Sequence, residues 1–170
     1  PTSPRRRASR ARVRAASGFA AVAHEVETWV TTKRNDFSSM LAREAWRLLS
    51  GNFERALAGP EDVETIADMQ WGAYLAGWAI EHSMLGAAHA CANPLSQRYG
   101  TVHAHALAAV LPHVIRFNGV LLAERYRELD GALLPRVESL IAAAGLPRTL
   151  RELGVAEGDL EALAERAGEQ

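Results

Sequence analysis

Apolar residues recur at three- and four-residue intervals along almost the whole chain, and nowhere do they alternate long enough to suggest a strand. In AASGFAAVAHEVETWVTT, Phe19, Val22, Val26 and Trp29/Val30 form one stripe, with Ser17 ahead of it as a cap. Asn35 or Asp36 can cap the next helix, in which Phe37, Leu41, Ala45, Leu48 and Leu49 share a face before Gly59-Pro60 stops it. Pro60 suits the first turn of a long helix whose acids, Glu61 and Asp62, favour its N-terminal dipole. From Met69 to Ile80 that helix is apolar nearly all round, which predicts the buried centre of a bundle. Asn93-Pro94 and Tyr99-Gly100 punctuate the next stretch before VHAHALAAVLPHVIRFN resumes a helix. There Pro112 removes a backbone donor and predicts a kink. Further helices are expected at about 119–129, 132–144 and 156–167, with GLPRTLRELGV as a connector holding a short helical turn. The pattern predicts an all-α fold, a multi-helix bundle.

Composition narrows the class. A chain of 170 residues, 48% hydrophobic and 23% charged, can build one compact domain and is too short for two ordinary ones. The run YLAGWAI is cut by Glu81 and His82, so no segment reads as a membrane span. A lone cysteine, Cys91, precludes an internal disulfide and fits a cytoplasmic location. The chain opens on Pro1 rather than Met and reads as a fragment or a processed product. Its net charge of −1 hides an asymmetry, because residues 1–14 hold six arginines and no acid. Residues 1–12 are expected to form a poorly ordered basic arm ahead of a helical domain at 13–170. Without interleaved aromatics or a known module, the arginines are a weak sign of nucleic-acid binding. There is no glycine-rich phosphate loop, no GxGxxG after a strand and no βαβ alternation, so no nucleotide-binding domain is visible.

Histidines supply the candidate chemistry. GAAHACANPLSQRYGTVHAHALAAVLPHVIRFN, residues 86–118, holds four of the chain's six: His89, His103, His105 and His113. Small neighbours around His89 and the turn before His103 leave room for an ion between two helices, and His24 can add a third imidazole. Three neutral imidazoles suit zinc or ferrous iron with a position left open for chemistry. His105 projects from another side of its helix than His103. His113, next to Pro112, reads as structural, and His82 as a pocket liner or a C-terminal dipole partner.

Residues 86–118 resemble the signature of the iron-containing, group III, alcohol dehydrogenases, including its L-P-H-V-x-x-[FY]-N run. SGFAAVAHEVETWVT is similar to the family's T-G-x-D-A-x-x-H-x-x-E segment, and LPRTLRELGVAEGDLEALAERA to its C-terminal helices. The resemblance covers about residues 13–168. It implies the helical, metal-binding C-terminal domain of a two-domain enzyme, preceded in the family by an α/β domain that holds NAD or NADP. It also implies His24, His89 and His103 as metal ligands, with Fe(II) the expected ion and Zn(II) the substitute. Small alcohols or aldehydes are the implied substrates, the metal polarising their oxygen for hydride transfer. A homodimer is compatible with it.

Three positions depart from the family pattern. Ala20 stands where the family's fourth ligand, an aspartate one turn before the first histidine, is expected. A neutral three-histidine site is expected to bind metal more weakly. Glu25 and Glu27 are close in sequence, and Glu27, three residues from His24, can reach across, although the family has a glutamate there that is not a ligand. Asn93 occupies a position where the family often has histidine, and it cannot titrate near neutral pH. Ala104 replaces a glycine after the third ligand. Trp71, Trp78 and Met84 are either walls of an apolar substrate pocket or plain core. The chain alone, lacking the nucleotide domain and the aspartate, is expected to be inactive. The alternative is a helical remnant serving a structural or interaction role.

Overall fold

A computed structural model of the chain describes residues 4–59 and 62–170. Seven α-helices follow one another: α1 (Pro4–Val30), α2 (Asp36–Ala58), α3 (Val63–Glu81), α4 (Ala87–Tyr99), α5 (His103–Leu129), α6 (Leu133–Ala144) and α7 (Leu160–Gly168). A 3₁₀ turn, Glu157–Asp159, leads into α7, and there is no strand among the described residues. Residues 145–155 are turns and bends, the expected connector. The family of helix starts is chemically ordinary: Asn35 caps α2 in a reciprocal pair with Ser38, and Asp62 caps α3 by accepting from the Thr65 amide. Gly59 closes α2, its N–H donating to the Arg55 carbonyl at 2.8 Å. Pro60 and Glu61, expected in the first turn of α3, lie outside the described residues.

The centre of the bundle is the second half of α1. Phe19, Val22, Val26 and Trp29 are buried there together with Ala21, Ala23, Glu25, Glu27 and Thr28. Around them pack α2, α3 and α5, with α6 and α4 touching one end. Leu49 and Phe53 of α2, Leu107 and Leu111 of α5, and Val137, Leu140 and Ile141 of α6 complete the core. The expectation that α3 occupies the centre is therefore corrected. Its buried face is narrow, made of Thr65, Gly72, Leu75, Ala76 and Ala79, while Trp71 (53% exposed), Tyr74 (52%) and Trp78 (44%) face outward. Gly72 explains the close seat of that narrow face, since a Cβ there would stand 2.9 Å from the Leu49 side chain.

Other expectations are corrected by helix continuity. Residues 4–12, predicted to be a poorly ordered arm, run as the first turns of α1, because arginine and alanine are strong helix formers. Ser17 is not a cap: it lies inside α1, its hydroxyl donating to the Val13 carbonyl. Phe37, placed on the apolar stripe of α2, is 42% exposed. Asn93-Pro94 does not interrupt α4, which runs through Pro94. The Ala90 carbonyl, left without a donor by Pro94, faces the Gln170 side-chain amide at 3.5 Å. Likewise α5 passes through buried Pro112, and its one non-helical residue is Leu122 (φ −115°, ψ 17°). The predicted segment at 119–129 is thus the far end of α5. At 27 residues α5 is also long and apolar enough to cross a membrane, contrary to the reading that no segment is, although Ala104, Ala106–Pro112 and Ile115 are buried in the bundle.

Candidate metal centre

Three helices bring three imidazoles side by side. His24 comes from the buried half of α1, His89 from the first turn of α4, and His103 is the first residue of α5. The His24 and His89 rings are stacked with centroids 5.0 Å apart, and the His89 and His103 rings lie 5.2 Å apart. The turn that makes this possible is Gly100, whose φ of +62° ends α4 in the left-handed region and lets α5 start three residues on. His105 and His113 are outside the cluster; His113 is exposed and makes no side-chain hydrogen bond among the described residues. His82 caps the end of α3, its carbonyl accepting from Asn35 Nδ2 at 2.6 Å and its ring meeting Phe37 edge-on.

Glu27 orders the cluster from one helical turn beyond His24. One of its oxygens, Oε1, accepts from the Ala88 amide at 2.6 Å. The other, Oε2, accepts from the His89 amide at 3.0 Å and lies 2.5 Å from His89 Nδ1. His89 is 5% exposed, and its Nε2 is buried without a hydrogen-bond partner. Burial first, then the neighbouring His89 and His103, lower the His24 pKa to about 4, with Glu27 opposing them. His103 is lowered for the same reasons, burial first and His89 second. Both imidazoles are therefore neutral at pH 7, the form that binds a metal.

Three imidazoles are a donor set that fits a late first-row dication. Among the described residues no three His, Cys, Asp or Glu side chains are already arranged to hold a metal ion. The His24 and His89 rings lie near-parallel, at 25°. Buried, unpartnered Nε2 of His89 is the atom that argues for a ligand role, since an acceptor left bare in the core is costly. Ala20, where a carboxylate ligand was expected, packs its methyl against the core. Glu27 is committed to α4, and both oxygens of Glu25 are buried without hydrogen-bond partners. Asn93 donates to the Gln170 side chain at 2.5 Å, and Ala104 is buried. Trp71 and Trp78 form an exposed ladder with Tyr74 between them, and Met84 is 48% exposed, so none of the three is core.

Sequence reasoning missed the role of Glu27. A readable signal exists: Gly86-Ala87-Ala88 opens α4 with no capping side chain of its own, so its first amides need an acceptor from elsewhere.

The sequence model described as "Fe-containing alcohol dehydrogenase family, C-terminal" matches residues 14–170. The chain belongs to that family. It is 32% identical to the 1,3-propanediol dehydrogenase of Klebsiella pneumoniae over 169 residues, covering 90% of this chain and 44% of that protein. It is also 32% identical to the lactaldehyde reductase of Escherichia coli strain K12, covering 91% of this chain and 44% of that enzyme. The fold superposes on the crystal structure of a 1,3-propanediol oxidoreductase with a TM-score of 0.88 at 29% identity, over 92% of this chain and 45% of that one. This iron-type dehydrogenase domain thus spans less than half the length of the relatives it matches, and its helices correspond to their C-terminal part.

Proposed function

We propose that the chain is the metal-holding part of an NAD(P)-dependent, iron-type alcohol dehydrogenase, with His24, His89 and His103 as the ligands. The buried, unpartnered Nε2 of His89 beside two other imidazoles carries this reading. Bound there, Fe(II), or Zn(II) in its place, would supply Lewis acidity toward the oxygen of a small alcohol or aldehyde whose hydride is exchanged with NAD or NADP. His24, His89 and His103 then act by staying neutral, which burial ensures for His24 and His103. Asn93, held by Gln170, can orient a substrate oxygen by hydrogen bonding but cannot carry its proton. The nicotinamide would sit on a nucleotide-binding domain that these 170 residues do not include, so these residues by themselves are expected to turn over no alcohol.

A second reading, an inactive helical domain kept for its shape, draws on Ala20 and on the stacked rings. Metal analysis separates the two. After equilibration with Fe(II) without oxygen, or with Zn(II), and desalting, wild type should retain stoichiometric metal and His89→Ala should retain little. Restoring the carboxylate in Ala20→Asp should tighten binding on the order of tenfold or more. Sparse metal in the wild type, unchanged by His89→Ala, would leave only the second reading.

A further inference from the structure

Glu27 makes three contacts to one short stretch of α4, and they are of two kinds. The first amides of a helix have no partner within it, and α4 begins at Gly86-Ala87-Ala88 with no local cap. Glu27 reaches across from α1 and accepts from the amides of Ala88 and His89, the second and third residues of that helix. With the oxygen that takes the His89 amide, it also meets Nδ1 of the same residue's ring at 2.5 Å. A carboxylate can only accept, so in the neutral ring the proton sits on Nδ1 and Nε2 carries the lone pair. Glu27 is 2% exposed, so water does not compete for these oxygens.

Gly86 is part of the same arrangement. A Cβ at position 86 would stand 2.9 Å from Glu27 Oε1, closer than carbon and oxygen tolerate. The glycine is needed there for room, since its φ of −135° is open to any residue.

We propose that Glu27 is a positioning residue that fixes His89 in the Nδ1–H tautomer and ties that tautomer to the N-terminus of α4. Capping the helix and aiming the imidazole are one event, because a single carboxylate oxygen serves both the His89 amide and the His89 ring. Glutamine cannot replace it. Whichever way its amide is turned, its NH₂ faces one of the donors that Glu27 accepts from. In a site that lacks a carboxylate at position 20, Glu27 is also the acidic group through which negative charge reaches the ligand set. The proposal rests on the metal-site reading for its consequence but not for its test.

Long-range ¹H–¹⁵N correlation spectra of the metal-free chain, near neutral pH, report the tautomer of His89 directly. Wild type should show a single Nδ1–H tautomer, and Glu27→Gln should lose it, giving a mixture or the Nε2–H form. Gly86→Ala, which leaves the carboxylate in place but displaces it, should move the spectrum the same way. Calorimetric titration with Zn(II) should then show affinity falling by about ten- to a hundredfold in both variants, with Glu27→Asp restoring part of it and circular dichroism confirming retained helix. An Nε2–H tautomer in wild type overturns the proposal, and that measurement needs no variant to fold. So does a Glu27→Gln spectrum identical to wild type. If wild type shows the Nδ1–H form yet binds no Zn(II), the tautomer assignment stands and the metal-site reading fails.

Discussion

Glu25 follows His24 in sequence and has the opposite relation to its surroundings. His24 is half-buried beside partners that make its neutral state useful, whereas neither carboxyl oxygen of Glu25 meets a hydrogen-bond donor. Burial pushes the Glu25 carboxyl well above its ordinary 4.5. A raised folded-state value gives a contribution to stability that is full below pH 4.5 and is lost as pH rises toward that value. His24 runs the other way: with its pKa lowered from 6.5 to about 4, its contribution is full above pH 6.5 and is lost as pH falls through that window. Glu25→Leu should therefore stabilise the chain by about 1–3 kcal/mol at neutral pH, and by less in acid. Urea unfolding of both proteins at neutral and mildly acidic pH checks this, and equal stability at neutral pH would contradict it. Neither burial was legible in the sequence. Glutamates on a helix read as a solvated face, and only the packing of α1 on every side turns Glu25 and Glu27 inward.

Among the helices, the contact that sets α5 against α1 is a reciprocal clamp. Trp29 Nε1 donates to the Arg125 carbonyl at 2.6 Å, and Arg125 Nε donates to the Trp29 carbonyl at 3.1 Å. The guanidinium also lies 3.5 Å from the Trp29 ring centroid and reaches Ser39 Oγ at 2.9 Å. This clamp lies just past the irregular Leu122, so it holds the far segment of α5 after the helix has changed direction. Arg125→Lys keeps the charge but loses the planar fork, and should cost about 1–2 kcal/mol, lowering Tm by about 2–8 °C in calorimetry. An unchanged Tm would mean that the clamp is incidental. Helix existence was readable from the three- and four-residue spacing, and the start at Asn35 and the turn at Gly100 from their chemistry, whereas Asp62, read as an acid inside the first turn of α3, is its N-cap. Pro94 and Pro112 misled because a buried helix tolerates a missing donor when its neighbours hold it in place. The outward aromatic ladder of α3 misled differently: apolar composition does not reveal which side of a helix has a partner.

The whole molecule is a scaffold in which helices distant in sequence deliver three histidines to one place. Their spacing alone is compatible with zinc, iron or nothing, and it was the match of two separated segments to one family that singled out His24, His89 and His103. The structure brings the same three together, and adds the acceptor network of Glu27 that no spacing rule encodes. Position 20 carries alanine where the family resemblance implies a carboxylate ligand, so the decisive test looks at the ion itself. Crystals equilibrated with Zn(II) should be measured by anomalous diffraction above and below the zinc edge. The account predicts one strong peak at bonding distance, about 2.0–2.1 Å, from a nitrogen of each of His24, His89 and His103, with the His24 and His89 rings turned out of their stack. Crystals that diffract with no peak at these imidazoles would contradict it.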